Sequence, residues 1–581
     1  MSDIMQSYKR VAHKLPDTIY TWHLYGAGVE NLGRDGKPET KPLPIYGPDQ
    51  LLLRIDAVGI CFSDIKVINQ GNQHPRVIGR DLTVDPVTLG HEAAVTVAGV
   101  GDSLKGKFSI GQRFIVQADV FVNGKSMAFG YALPGAQTQY QVVGQEVLAG
   151  DEGCYLLPVQ NTTGYAEAAL AEPWACVVAS YRINRRTSIK PGGVMWIVNA
   201  GGEGDFTFGM NIDSKTVIAS GVTGKLADEL KTLAGQGKFD LVTSAGAGDI
   251  DALSAKYGLF DDVVILGSDA DVVEKAAECL GRDAVLSILS NGNMTRPIKV
   301  DIGKIHYQNH SYLGATTGKL ADAYGPTRVP SELKQGGSAW FIGAGGPMGQ
   351  MHLQRAVELP NGPMKILATD VDTARLESVK QRFMPIAERR GVDLRVVNPM
   401  EISPEEFNKL LEEFTGGKGF DDIVALAPVA KLVEQAVPWM GEQCLMNIFA
   451  GVPTGTIASL DLTGVYAKGV RFVGSSGSKV TDMQDTLGAA ESGELSTNTS
   501  VAAVGGIEAS WDGMKAVKEG KFPGRVVIYP QISGLALTAV PEIGKVLPSV
   551  AAKLTDGMFW NREAEAELLR TMLKLEIIGE E

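Results

Sequence analysis

The sequence predicts an α/β protein in which a β-rich segment is followed by two tandem copies of one α/β segment, the first copy degenerate. Three observations carry this. Short β-forming runs crowd residues 20–147, a strand, glycine turn, helix, strand and acid follow one another across residues 336–375, and stretches beginning at Phe260 and Phe420 repeat each other at an offset of 160 residues.

Bulk properties bound the answer first. A chain of 581 residues exceeds what one core fills and suggests roughly three or four domains. Its 44% hydrophobic and 21% charged residues are those of a soluble globular protein. A net charge of −13 and a pI near 5.2 argue against nucleic acid or an anionic membrane as partner, since both select a basic surface. A small-molecule substrate fits better. No apolar run approaches the ~18 residues of a membrane span, and MSDIMQSYKRVAHKL has no apolar signal region, so a cytoplasmic location is expected. The cysteines, Cys61, Cys154, Cys176, Cys279 and Cys444, are scattered and odd in number, which argues against a disulfide framework.

In chain order, the runs at 50–58, 93–100 and 113–117 alternate with turn residues and read as a mostly antiparallel β domain. Two motifs interrupt it, GICFSDIK at 59–66 and LGHEA at 89–93, and AEPWACVV follows at 171–178. A lone Cys or His is more often a core residue. Together, however, the thiol of Cys61, the imidazole of His91 and the carboxylates of Glu92 and Glu172 make a plausible catalytic zinc set.

GICxSD, GHE and AEP ahead of a nucleotide-binding segment resemble the zinc-dependent branch of the medium-chain dehydrogenase/reductase superfamily, the alcohol and polyol dehydrogenases. Within it the sequence most resembles the L-sorbose 1-phosphate reductase type, through KFSIGQRFIVQ, AALAEPWACV, ATDVDTARL, GFDDIVALAPVAKLVEQ and VGSSGSKVTDM. The resemblance implies a GroES-like β-rich catalytic domain plus Rossmann-type domains. It implies that Cys61, His91 and Glu92 ligate or nearly ligate zinc, that Glu172 binds it directly or through water, that Ser63 relays a proton, and that Asp64 orients a ligand. Three anionic side chains would leave the site net negative, so Glu172 is expected to give way when substrate binds. The family's structural zinc lobe would fall near residues 117–140, where no cysteine occurs, and only the catalytic zinc is expected.

The stretch GGSAWFIGAGGPMGQMHLQRAVELPNGPMKILATDVDTAR, residues 336–375, is a dinucleotide-binding βαβ unit. Gly343, Gly345, Gly346 and Gly349 let the backbone turn and approach a pyrophosphate, while the helix opening at Pro347 and Met348 aims its N–H groups at it. Asp370, 21 residues after Gly349, then accepts from a ribose hydroxyl. The turn is one residue longer than usual, which leaves each glycine's role open by one position. An acid at Asp370 predicts NAD(H) over NADP(H).

Residues 190–330 depart from the family plan. FDDVVILGSDADVVEKAAECLGRDAVLSILSNG and FDDIVALAPVAKLVEQAVPWMGEQCLMNIFAGV are in register at the same offset as Gly314 and Gly474, which points to a tandem duplication. In the first copy Asn199 replaces the opening glycine, Gly221 stands in place of Asp370, and the crossover has room only for a stunted helix. The first copy is therefore read as structural and the second as the cofactor site. Related dehydrogenases are, by resemblance, dimers that join edge strands of their nucleotide domains. The strands near 310–314 and 470–474 are accordingly expected to pair inside one chain.

The expected organisation is 1–185 GroES-like, 186–330 degenerate Rossmann-like, 331–490 NAD-binding and 491–581 a closing strand plus an amphipathic tail helix. The expected activity is the interconversion of a secondary alcohol and a ketone on a sugar, polyol or sugar phosphate by a zinc- and NAD(H)-dependent enzyme, with homo-oligomerisation compatible. Transient oxidation leading to epimerisation or elimination is an alternative, and a non-catalytic nucleotide sensor a third. Lys66, His74, Arg76 and Arg80 are candidates for a substrate phosphate, although solvated loop residues are the more frequent reading of such a group.

Overall fold

The computed structural model describes residues 2–575 apart from 12–13, 78, 326–327 and 476. They form two compact units, Met1–Val178 with Gly477–Glu581, and Ala179–Ser476. The nucleotide-fold segments expected at 186–330 and 331–490 thus share one unit, and the chain beyond residue 476 rejoins the N-terminal one.

The main sheet of the N-terminal unit includes β1 (Leu51–Ile60), β2 (Glu92–Val100), β3 (Arg113–Val116), β4 (Tyr140–Val143) and β5 (Leu156–Pro158), each antiparallel to its neighbours among these. Every residue of β1 is buried, because both faces of this strand are covered. Helix α1 (Phe62–Gln70) starts where β1 ends, with Cys61 as its N-cap and Asp64 reaching back to the Cys61 N–H at 2.9 Å. Helix α2 (Ala171–Ser180) carries the AEP motif in its first turn.

The second unit holds two parallel six-stranded sheets. The first is built from β6 (Val194–Ala200), β7 (Thr216–Ser220), β8 (Asp240–Ser244), β9 (Phe260–Gly267), β10 (Leu280–Leu289) and, beyond the short β11 (Ile298–Asp301) and helix α3 (Ile302–Gln308), β12 (Ser311–Ala315). Its spatial order is β8-β7-β6-β9-β10-β12. The second uses β13 (Ser338–Ile342), helix α4 (Pro347–Glu358), β14 (Lys365–Thr369), β15 (Asp393–Val397), β16 (Phe420–Ala425) and β17 (Met440–Ile448), then β18 (Ile457–Leu460), helix α5 (Thr463–Ala467) and β19 (Arg471–Val473). Its order is β15-β14-β13-β16-β17-β19, the same doubly wound arrangement. The copies repeat in detail. The Trp196 indole donates to Ser220 and stacks on Phe260, while the Trp340 indole donates to Thr369 and packs on Phe420. Both sheets slip register at the same place, between Phe260 and Asp262 and between Phe420 and Asp422.

Two expectations need correction. The first copy has no helix, not even a stunted one, between β6 and β7. Residues 201–215 instead run out over the sheet, because Gly201, Gly204 and Gly209 adopt positive φ and Phe208 buries itself against Leu266, Leu313 and Leu320. The edge strands β12 and β19 do not join into one sheet either: each ends its own, and β11 and β18 form the antiparallel pair that links the copies. The apolar side chains of both copies still fill one core, from Ile288, Ile298 and Tyr312 to Ile448, Leu460 and Phe472.

The chain then returns to the N-terminal unit. β20 (Val501–Gly506) lies parallel to β21 (Arg525–Tyr529), and β21 lies antiparallel to β1. Helix α6 (Arg562–Leu573) closes the unit through Glu565, whose buried carboxylate accepts from the Tyr165 and Ala166 N–H groups at 2.5 and 2.7 Å and from the Tyr529 hydroxyl at 2.8 Å. The tail expected to be amphipathic packs on its own unit, and residues 576–581 lie outside the described residues.

Candidate metal centre and dinucleotide crevice

Three donors of different softness meet in the N-terminal unit. The Cys61 Sγ, a His91 ring nitrogen and a Glu92 carboxylate oxygen all lie within 4.8 Å of one another. The sequence places them by two strand ends: Cys61 follows β1, and His91 and Glu92 open β2, its antiparallel neighbour, with Glu92 opposite Gly59. A side chain at Gly59 would collide with the Glu92 carboxylate, so glycine there makes the room. Asp64, fully buried, holds two members at once. One of its oxygens accepts from the Cys61 N–H, and the other accepts from the Gly90 N–H at 3.3 Å and approaches His91 Nδ1 to 3.3 Å. His91 Nδ1 itself makes no hydrogen bond among the described residues. Ser63 sits beside the thiol, its Oγ 3.4 Å from Cys61 Sγ.

Sequence reasoning missed Arg525. It projects from β21 onto Glu92 and pairs with it, both side chains almost wholly buried at 5% and 0% exposure. A lone arginine in the apolar strand RVVIY was the available signal. Burial opposes the charge on Arg525, but Glu92 and Cys61 outweigh it and raise its pKa. The pair makes Glu92 a compensated carboxylate, yet its Oε2 has no hydrogen-bond partner among the described residues. A buried carboxylate oxygen left so is costly unless a cation is held there.

Glu172 stands outside the group of three that meets within 4.8 Å. It is buried close enough to feel His91 and Glu92, and burial first, with Glu92 and Asp119 adding, raises its carboxyl to about 7 while His91 pulls the other way. Cys176, one helical turn on, is half-buried, and desolvation pushes its thiol well up. The thiol, imidazole and carboxylate present suit a borderline-soft divalent metal such as zinc.

Tyr131 covers this centre. Its ring lies 5.3 Å from that of His91 and 5.8 Å from that of His74, with the Arg76 guanidinium 5.2 Å from its centroid. Arg76 pairs with Asp119 at 2.9 Å and Arg80 with Asp85 at 2.8 Å, while Lys66 is exposed. Of the four phosphate candidates, His74 and Arg76 thus share a ring with the metal-ligand set, and Arg80 and Lys66 do not.

The second unit holds the glycine turn. Gly343 needs its φ of +84°, and a side chain at Gly349 would strike the Gly343 carbonyl, which assigns these two to the tight turn and to close packing of helix on strand. Between them, Gly345 is wedged against Asp370 and Arg375, and Gly346 caps α4, whose first residues are Pro347 and Met348. Asp370, at the end of β14, accepts from the Gly345 N–H at 2.9 Å and the Asp372 N–H at 3.1 Å, and Val371 beside it is 68% exposed.

The equivalent crevice in the first copy is closed by its own chain. Gly202 donates its N–H to Leu266 O and to Asn199 Oδ1, Gly201 bridges Gly267, and Thr207 bonds the backbone of Gly318 and Leu320 beyond β12. The Gly202 and Thr207 N–H groups are thus bonded within the first copy, and Gly221 offers no carboxylate.

The alcohol dehydrogenase GroES-like domain family matches residues 47–174, the stretch that carries Cys61, His91, Glu92 and Glu172. The chain carries an alcohol dehydrogenase GroES-like domain. This domain, followed by two doubly wound sheets, is consistent with the medium-chain dehydrogenase/reductase superfamily. Over 551 residues, 92% of this chain and 95% of the relative, the sequence is 22% identical to mannitol-1-phosphate 5-dehydrogenase of Aliivibrio fischeri. A stretch of 153 residues, 26% of this chain and 36% of the relative, is 33% identical to L-sorbose 1-phosphate reductase of Klebsiella pneumoniae. The solved structure of 2R,3R-butanediol dehydrogenase from Bacillus subtilis covers 88% of this chain and 99% of its own, at 14% identity and a TM-score of 0.48. The GroES-like domain thus accounts for the N-terminal site, while the first relative spans a length that includes both nucleotide folds.

Proposed function

We propose that the chain is a zinc- and NAD(H)-dependent oxidoreductase that interconverts a secondary alcohol and a ketone on a polyol or sugar, with a phosphorylated substrate favoured. The observation that carries it is the convergence of Cys61, His91 and Glu92 on one point with the Glu92 Oε2 unsatisfied. The names of two relatives, a mannitol-1-phosphate dehydrogenase and a sorbose 1-phosphate reductase, support the phosphorylated class.

In this reading Cys61, His91 and Glu92 hold the zinc. When bound, it supplies a Lewis acid that lowers the pKa of the alcohol or polarises the ketone, and the nicotinamide carries the hydride. The residues of the chain do the rest. Asp64 fixes the Cys61 backbone and lies against the His91 ring, the position of a group that orients a metal-binding imidazole. Arg525 offsets the charge of Glu92. Tyr131 covers the His91 ring and limits access of water to it. Ser63, beside the thiol, is placed to pass on the hydroxyl proton. Asp370 accepts from a free ribose 2′-hydroxyl and repels a 2′-phosphate.

Metal analysis of the purified protein, followed by a screen of hexitol phosphates, ketose phosphates and unphosphorylated polyols at the nicotinamide absorbance, tests this. One zinc per chain with turnover of a hexitol phosphate is expected. A protein free of zinc, or one turning over only without net NADH formation, counts against it. His91→Ala should lose both zinc and turnover, and retention of full activity without metal would overturn the zinc reading.

A further inference from the structure

The interface between the two nucleotide folds reads the same in both directions. Its centre is the β11–β18 pair, in which Lys299 lies opposite Ser459, the position 160 residues on and therefore its own equivalent. A side chain built on Gly314 would lie 2.6 Å from Tyr466 Cβ, and one built on Gly474 would lie 2.8 Å from His306 Cα. Gly474 is the equivalent of Gly314, and Tyr466 that of His306. Likewise Met294 donates its N–H to the Thr463 hydroxyl at 3.2 Å, while Gly303, the equivalent of Thr463, abuts Thr454, the equivalent of Met294. Residue i meets j and j meets i, the signature of a two-fold interface, here closed inside one chain.

The geometry is symmetric but the two halves are not equally equipped. Helix α5 of the second copy grips loops around a crevice that is closed. Helix α3 of the first copy grips the loops at the carboxyl ends of β17 and β19, on the far side of the open crevice from Asp370. A dinucleotide spans such a crevice with one nucleotide on each side, and Asp370 claims the adenosine ribose, so these loops receive the nicotinamide half. The grip is specific. One carboxylate, Asp301, caps α3 by accepting from the Gly303 and Lys304 N–H groups and with its other oxygen accepts from the Gly455 N–H at 2.8 Å. Ile302 donates to Thr456 O at 3.0 Å. His306, 6% exposed, directs its Nδ1 at Ile448 O at 3.0 Å, the last carbonyl of β17 before the loop turns away.

We propose that the first copy, itself closed to cofactor, is a built-in positioning subunit for the second, and that His306 is the positioning residue that sets the loop receiving the nicotinamide. This rests on the dinucleotide reading above. The first copy binds no ligand in this role, and it acts by holding Phe449 to Thr456 and Gly474 in the shape the cofactor requires.

The symmetry supplies its own control. Tyr466, the equivalent of His306, bonds from the other side but to a different position, its hydroxyl donating to Gly292 O at 2.8 Å, four residues beyond Ile288, the equivalent of Ile448. His306→Phe and Tyr466→Phe each remove one hydrogen bond from the same interface. NADH and AMP affinities, by fluorescence titration and calorimetry, are measured for both variants, for the rescue variant His306→Asn, which keeps an N–H donor, and for the unmodified protein. His306→Phe is expected to weaken NADH binding by about fivefold, the value of one net hydrogen bond, and to leave AMP unchanged. Tyr466→Phe is expected to leave both unchanged, and His306→Asn to recover most of the NADH affinity. Equal NADH affinities in the two phenylalanine variants, or equal loss of AMP and NADH in His306→Phe, overturn the proposal alone. Failure of the unmodified protein to bind NADH overturns the dinucleotide reading with it.

Discussion

Replacing Arg525 with Met tests whether the metal centre is built on a buried ion pair. Arg525 and Glu92 are 5% and 0% exposed in their side chains, so neither charge is screened by water. Removing one partner of such a pair leaves the other buried and uncompensated, which costs about 3–5 kcal/mol, whereas removing both together is often nearly neutral. Without metal, Arg525→Met should therefore lower the stability of the N-terminal unit by about that amount. Arg525→Met with Glu92→Gln should recover more than half, since the double variant leaves no lone charge. A divalent metal held by Cys61, His91 and Glu92 would supply a replacement cation beside Glu92, so the loss should shrink when zinc is added. Urea unfolding followed by tryptophan fluorescence, in a background with Trp196, Trp340 and Trp439 of the second unit replaced by Phe, reports on this unit, because Trp22 and Trp174 are fully buried in it. A single variant as stable as the unmodified protein without metal, or a double variant worse than the sum of the singles, would refute the reasoning.

Three further outcomes are expected. NAD should be preferred over NADP because the Asp370 carboxylate, held by Gly345 and Asp372, repels a 2′-phosphate; Asp370→Gly should narrow the ratio of kcat/KM values, and equal use of both cofactors by the unmodified protein would show Asp370 misplaced. Calorimetric titration should find one dinucleotide per chain, and two equivalent sites would mean that the loop of residues 201–215 does not close the first crevice. Burial pushes the His352 imidazole from 6.5 down to about 3, with Arg355 adding, so between those values the folded chain binds fewer protons than the unfolded one. Stability should fall as pH drops through that window, by about 2 kcal/mol at pH 5 from this group. His352→Gln should flatten the fall, and an unchanged acid profile in urea midpoints would refute the assignment.

The sequence by itself determined what is local. The glycine turn, its helix and Asp370 lie within one short stretch, so their spacing could be read, and Cys61, His91 and Glu92 were legible as candidates because two short motifs mark the neighbouring strand ends that carry them. The duplication was visible because its two copies kept the same offset from Phe260 to Gly314. The assignment of Gly343 and Gly349 required the backbone, since only a collision with the Gly343 carbonyl distinguishes a packing glycine from a turn glycine. Partners far apart in the chain were out of reach. Arg525 meets Glu92 across 433 positions, and no periodicity encodes which charge a returning strand will deliver. The absent helix after β6 was read only as a short one, because a stretch too short for a full crossover does not show that Phe208 will fill the sheet face instead. The edges β12 and β19 were expected to pair because each is β-forming. Packing chose β11 and β18, since pairing equivalent positions about one axis lets α3 and α5 bury Gly314 and Gly474 under Tyr466 and His306, and that fit exists only once both copies are folded.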